Sequence, residues 1–314
     1  MSSDTTAAVS ELYEEYPYPA HGVVSRVVAG MLEEPVRRLQ QRTGSKRLRL
    51  LDAGCGTGEQ TLGVARAMPE LDVTGVDLNR ASLELATRLS AREGIPARFD
   101  RRNLMEPLDG LGPFQVIVSV GVLHSLAEPA RGFEHLRRVA APGAVFLGMV
   151  YGAYGKWDSI QIRDALRLIG GEDAPRRELL DVLRGSRLAT NTGPAHYLDT
   201  LVKRLRFGPD IPVVEAARRV LKGRNAAYQA DTYTHVQEVV YTWSELARVL
   251  QETGWRIEGW PKRSGMPDAP EQLFRGRALE RMREKSAMEQ AAIYERLVRP
   301  MNLFFLASPA DGSD

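Results

Sequence analysis

The stretch Leu48-Arg-Leu-Leu-Asp-Ala-Gly-Cys-Gly-Thr-Gly58 constrains the fold more than any other part of the chain. An apolar run with the pattern of a buried strand ends in Asp52. Glycines follow at alternate positions, Gly54, Gly56 and Gly58, and a helix-like segment over 59–68 comes next. Glycine lets a backbone press against a ligand where a Cβ would collide, and the free N–H groups that open the following helix face that ligand. Such a strand–turn–helix is a cradle for a nucleotide-like cofactor; a glycine-rich turn that binds nothing is the alternative. Two cradles are excluded. A dinucleotide fold wants G-x-G-x-x-G, but the third position is Glu59 counted from Gly54 and Thr61 counted from Gly56. A phosphate-binding loop needs Gly-Lys-Ser/Thr, and no lysine lies near.

From Arg47 onward, strand and helix patterns alternate, which argues for βαβ units and a parallel sheet. The expected strands are Arg49–Ala53, Asp72–Asp77, Ala97–Arg101, Val116–Val120 and Ala144–Met149, with helices over 59–68, 80–93 and 129–140 between them. Before this core, 9–16 and 23–42 read as helices. Tyr16-Pro-Tyr-Pro-Ala-His-Gly22 between them is not helical, because residues before proline are pushed to extended conformations. After the core, helical patterns over 152–240 are broken by Gly170-Gly171, Gly193-Pro194 and Gly208-Pro209, too long a stretch for a connecting loop. A helix capped by Thr242 or Ser244 with Gly254 as its C′ residue, a strand Trp255–Trp260, a helical insert 269–298 and a strand Asn302–Ala307 complete the chain. The domains expected are a helical lid over 1–46, a cofactor core over 47–150, a helical substrate-binding insert over 151–240, and the rest of the core over 241–314.

The pattern D-x-G-x-G-x-G at 52–58 resembles motif I of the class I S-adenosylmethionine (SAM) methyltransferases, and the resemblance covers 47–150 with a weaker echo at 241–307. It implies an α/β fold: a doubly wound seven-stranded sheet, mostly parallel with an antiparallel C-terminal strand, plus helical inserts. It also implies SAM as cofactor, held by Asp52, Gly54, Cys55, Gly56 and Gly58. In that family the second strand ends in an acid that accepts both ribose hydroxyls; Asp77 stands there, followed by Leu78. A carboxylate suits a vicinal diol, offering two acceptors and no donor. The alternative role for Asp77 is an N-cap of helix 80–93. Asn103 stands where the family places an Asp that meets the adenine amino group, and Leu104 supplies a backbone N–H to the ring. Val120 ends the fourth strand beside the cofactor, and the segment to Leu126 resembles D-x-I-x-x-x-x-V-L-H-H-L, with Gln115 for the Asp and Ser125 for the second His. His124 faces either the substrate or helix 129–140. Base-amino methylases place N/D-P-P-Y/F there, which Gly121-Val-Leu-His124 is not.

Three further clusters are candidates for the acceptor side. Leu12 to Gly22 resembles a Y-x-x-x-P-Y-P segment of a poorly characterised bacterial group of the same class; Tyr13, Tyr16 and Tyr18 either reach the cofactor or substrate or simply pack. Asp231, His235 and Tyr241 lie in a segment resembling that group's D-T-x-x-H, where a His could take a proton as the methyl transfers; a capped loop with a buried His is the other reading. Tyr151, Trp157 and His196 could line a pocket. A metal site is not expected: Cys55 is the single cysteine and Asp231 with His235 makes only two ligands.

Lys+Arg 42 against Asp+Glu 40 gives net +2, so no strong field points to nucleic acid or membrane. The N-terminus has no signal-peptide pattern and no apolar run reaches a membrane span, so a cytoplasmic protein is expected. The expected partner is a small-molecule acceptor for methylation on O or N. A protein or peptide acceptor, a non-catalytic SAM- or ligand-binding protein and a homodimer are left open.

Overall fold

The computed structural model describes residues 9, 11–15, 24–171, 174–185, 226–235, 237–262 and 264–310. The chain divides into two compact units, one of Met1–Gly155 with Gln237–Asp314 and one of Lys156–Val236. Tyr16, Tyr18 and His196 lie outside the described residues.

The larger unit is built on one twisted sheet. In chain order its elements are α1 (Val27–Thr43), β1 (Arg49–Ala53), α2 (Glu59–Ala67), β2 (Asp72–Asp77), α3 (Arg80–Glu93), β3 (Arg98–Arg101), β4 (Phe114–Val120), α4 (Pro129–Arg138) and β5 (Ala140–Gly152). After the smaller unit come β6 (Val240–Tyr241), α8 (Trp243–Glu252), β7 (Trp255–Gly259), α9 (Gly276–Arg283), α10 (Ala287–Val298) and β8 (Asn302–Pro309). The strand order is β3-β2-β1-β4-β5-β8-β7, parallel from β3 to β5, with β8 antiparallel to both neighbours. Seven strands were expected. The eighth, the two-residue β6, pairs with the end of β5.

Parallel strands carry helices on both faces, so both sets of alternating side chains are apolar. Leu50, Val73, Val116, Val118 and Leu147 pack with α1, α2 and α3 on one face; Leu51, Val76, Ile117 and Phe146 pack with α4, α8 and α10 on the other. The helix α1 buries Val28, Met31, Leu32, Val36 and Leu39 in this core. The expected lid over 1–46 is therefore, over 27–43, a layer of the core. Its approach depends on Gly63, where an added Cβ would lie 1.7 Å from the carbonyl oxygen of Ser25.

Tertiary contacts set the end of β5, which differs from expectation, and choose Thr242 over Ser244 as the cap of α8. β5 runs on to Gly152 because both its edges find partners: Tyr151 pairs with Asn302 of β8 and with Val240 of β6. Helix α8 starts at Trp243 because Thr242 caps it reciprocally with Glu245, while the buried Glu295 carboxylate of α10 accepts the Trp243 N–H at 2.8 Å.

In the smaller unit, α6 (Arg176–Gly185) and α7 (Ala226–Tyr233) follow α5 (Ala153–Gly170), which begins at the junction. Leu166, Leu179, Leu180, Leu183 and Ala230 are buried.

Candidate functional site

The sheet winds outward from β1 in one direction through β2 and β3 and in the other through β4 and β5. Ligands of such sheets bind beyond the carboxyl ends of the strands, where the winding reverses. The glycine loop leaves β1 at that point. Gly54, Gly56 and Gly58 have φ of +83°, +51° and +77°, a region that side chains disfavour. At Gly54 an added Cβ would lie 2.3 Å from Val122, so the loop can pass beneath the turn after β4 only as glycine. The N–H groups of Gly54 and Cys55 donate to the Val76 carbonyl at 2.8 and 3.0 Å, tying the loop to β2.

Asp77, at the end of β2, holds the loop from the other side. One carboxylate oxygen accepts the Gly56 N–H at 2.8 Å and the other accepts the Asn79 N–H at 2.9 Å. Burial raises its pKa, opposed by these backbone donors. The helix cap is Asn79, whose Oδ1 accepts the Ser82 N–H. Capping, the alternative role for Asp77, thus belongs to its neighbour, and each Asp77 oxygen keeps lone pairs for a diol.

Asp52 is buried and accepts the Thr61 hydroxyl at 2.5 Å. Thr61, the residue that ruled out a dinucleotide loop, is the partner of the motif's acid. Burial, with the Asp77 charge adding to it, raises the Asp52 pKa from 3.8 to about 6 against the Thr61 hydrogen bond. The neutral form is therefore favoured by folding, and this contribution to stability is present below the ordinary carboxylate range and lost as pH rises through about 6. The unliganded protein is expected to lose about 3 kcal/mol from this group as the pH climbs across that window. Urea denaturation of the parent and Asp52→Asn at several pH values checks it: the variant's stability should lack that slope, and parallel curves exclude the assignment.

Cys55 is buried beneath the loop. Burial, then the Asp52 and Asp77 charges, push its thiol well above the usual range, so it packs and does not react. Asn103 turns its amide onto its own loop, Oδ1 accepting the Met105 N–H and Nδ2 donating to Glu106. The amide oxygen keeps one lone pair for an adenine amino group. Leu104 is held by a residue that sequence reasoning missed: the buried His135 of α4, whose Nδ1 lies 3.0 Å from the Leu104 carbonyl oxygen. Thr61, Asn79 and His135 all support motif residues, and no local pattern marks His135 or Thr61 as doing so. Leu78 and Val120 sit at the ends of β2 and β4, half-buried.

Of the residues expected on the acceptor side, His124 is buried in the turn after β4 with its ring against Tyr151, centroids 4.0 Å apart. Its carbonyl accepts the Val239 N–H at 2.8 Å, and Gln237 Nε2 donates to the Leu126 and Ala127 carbonyls. The segment 237–241 is thus stapled along the turn. Tyr241 is buried in the core, its phenol pushed up to about 12 by burial and by Glu245, so it stays protonated and is no proton acceptor near neutral pH. His235 is buried within the smaller unit, which also contains Asp231. Trp157 is 55 % exposed on α5. Tyr13 is half-buried. Among the described residues no cluster of His, Cys, Asp or Glu could hold a metal, and no helix is long and apolar enough to cross a membrane.

Residues 51–146 match the family described as a methyltransferase domain. An uncharacterised protein of Synechococcus sp. is 30% identical over 290 residues, 87% of this chain and 64% of that protein. The ubiquinone biosynthesis O-methyltransferase of Caulobacter sp. is 30% identical over 107 residues, 34% of this chain and 42% of that one. PKMT2 from Rickettsia typhi in complex with AdoHcy is similar in structure, with TM-score 0.67 and 15% identity over 95% of this chain and 56% of that one. The chain thus spans less than two thirds of the length of each of these relatives. The fold is the Rossmann-like fold of the methyltransferases. Residues 51–146 thus match the methyltransferase domain family, and the fold is shared with a protein whose structure holds AdoHcy.

Proposed function

We propose that the protein transfers a methyl group from SAM to an oxygen or nitrogen of a small molecule. The observation that carries the donor half is the cradle: three left-handed glycines, the first of them under Val122 of the turn after β4, in a loop bound to β2 through Asp77. The chain's residues fit the cofactor. Asp77 has acceptor capacity for the ribose diol, and Leu104 lies on a loop fixed by Asn103 and His135. When bound, SAM supplies a methyl carbon on a sulfonium, which needs a nucleophile held in line at about 3–3.5 Å and water excluded.

The acceptor half rests on His124 and Tyr151. Their rings pack 4.0 Å apart, tilted by 43°, near the carboxyl ends of β4 and β5, with His124 buried behind the partly exposed Tyr151; an aromatic wall of this kind suits a small, partly apolar acceptor. The O-methyltransferase named in ubiquinone biosynthesis supports the same reading, though over 34% of this chain. The same aromatic wall would also suit a peptide side chain.

One experiment separates these readings. The protein is incubated with a cell extract and methyl-labelled SAM, and the products are fractionated. Label in the acid-soluble, organic-extractable fraction is the expected result. Label in precipitated protein moves the acceptor to a side chain, label in nucleic acid overturns both, and no label while AdoHcy binds leaves a binding protein.

A further inference from the structure

Asn79 has a feature that helix capping does not use. Its Oδ1 accepts the Ser82 N–H at 2.8 Å, its backbone N–H donates to Asp77, and its backbone carbonyl accepts from Leu83. The side-chain Nδ2 is buried, and among the described residues it has no hydrogen-bond partner. A buried donor without an acceptor is costly, and Ser or Asp would cap the helix equally well without it. The amide oxygen is committed to the helix, so the NH2 group is turned off it.

Asp77 tells what that donor can meet. Each of its oxygens takes one backbone N–H, and a carboxylate has about four lone-pair sites. Two sites remain, enough for the protons of both ribose hydroxyls. A hydroxyl that gives its proton away keeps lone pairs on oxygen, and these can accept. The buried NH2 stands two residues after Asp77, on the same turn.

We propose that Asn79 is a specificity residue of the donor site, its side-chain amide donating to a ribose hydroxyl oxygen of the bound adenosyl group. Together the two residues read each feature of the diol: Asp77 takes its protons and Asn79 supplies a proton to its oxygen. The site then rejects adenosyl groups lacking that hydroxyl by leaving the buried donor unpaired. The inference rests on the reading of Asp77 as the ribose acid.

Calorimetry with AdoHcy and its 2′-deoxy and 3′-deoxy analogues tests it on the parent, Asn79→Ser, Asn79→Asp and Asp77→Ala. Both Asn79 variants keep the cap, so their melting temperatures should stay within roughly 2 °C of the parent. Their AdoHcy affinity should fall about tenfold, and the fall should vanish against one of the deoxy analogues. If Asn79→Ser folds poorly, Asn79→Asp, which keeps the oxygen in place, carries the test. An AdoHcy affinity within about twofold of the parent in both variants would overturn the proposal. So would an equal loss for AdoHcy and both deoxy analogues, which would place the donor away from the ribose. Asp77→Ala reads the underlying assignment separately: parent-like AdoHcy binding there sinks the ribose role of Asp77 alone.

Discussion

Asp77→Ala is expected to weaken SAM and AdoHcy binding by at least about 100-fold. A hydrogen bond to a charged group contributes roughly 1.5–3 kcal/mol, and the carboxylate would make two to the diol. Losing both gives about 3–6 kcal/mol, and each 1.4 kcal/mol is tenfold in affinity. A second loss adds to this. The Gly56 and Asn79 N–H groups, now bound to the two carboxylate oxygens, would lose their acceptors, and the glycine loop would lose one of its ties to β2. Folding itself should suffer little, because burial already disfavours the charged form of this carboxylate. Removing it relieves that cost while freeing two donors. Calorimetry with AdoHcy beside a thermal melt separates the effects: affinity should fall steeply while the melting temperature changes little. Asp77→Asn, which keeps one acceptor oxygen, should fall between parent and alanine. If Asp77→Ala binds AdoHcy within about threefold of the parent, the carboxylate is a loop tie and not the ribose acid.

The cofactor half was legible in the sequence for a physical reason. Its strands are covered on both faces, so β1 and β2 read as largely apolar runs, with Asp52 next to last in β1 and Asp77 last in β2. Helix α3 was legible at both ends, and its boundaries, 80–93, follow from Asn79 as cap and the left-handed Gly94. What stayed hidden depends on partners far along the chain. Tyr151 and Gly152 become strand only because β6 and β8 flank them, about 90 and 150 residues on. The role of α1 as a core layer turns on Gly63, which reads from the sequence as a poor helix residue and is in fact a gap for the Ser25 backbone. The His135 contact with Leu104 joins positions 31 apart with no motif between them. The proposed acceptor side rests on single side chains, His124 and Tyr151, whose spacing in sequence says nothing of the 4.0 Å between their rings.

Gly148→Ala should destabilise the protein by about 2–3 kcal/mol, although alanine in a strand ordinarily gains roughly 0.5–1 kcal/mol over glycine. Gly148 lies within β5 and pairs in register with Phe305 of β8. An added Cβ would lie 2.0 Å from the tip of the Phe305 ring and within 2.7 Å of two more of its atoms. The ring has little room to retreat. It is fully buried, meets Phe146 edge-on at 5.2 Å and lies 6.3 Å from Phe133, and Phe146 in turn packs on Trp255 at 4.8 Å. The methyl must therefore displace an aromatic cluster or push β5 from β8. A smaller ring-side partner should relieve the strain. Phe305→Leu alone should cost about 1–2 kcal/mol, yet Gly148→Ala with Phe305→Leu should be at least about 1 kcal/mol more stable than the two single losses added together. Chemical denaturation of the four proteins closes the cycle, and simple additivity would show that the methyl is accommodated elsewhere. The consequence for function follows from chain position. β5 continues from Gly148 to Tyr151, on which the His124 ring rests, whereas the glycine loop and Asp77 hang on β1 and β2. Folded Gly148→Ala protein should therefore bind AdoHcy within about threefold of the parent and turn over its acceptor more slowly, because the displaced strand carries the proposed acceptor wall and not the glycine loop or Asp77.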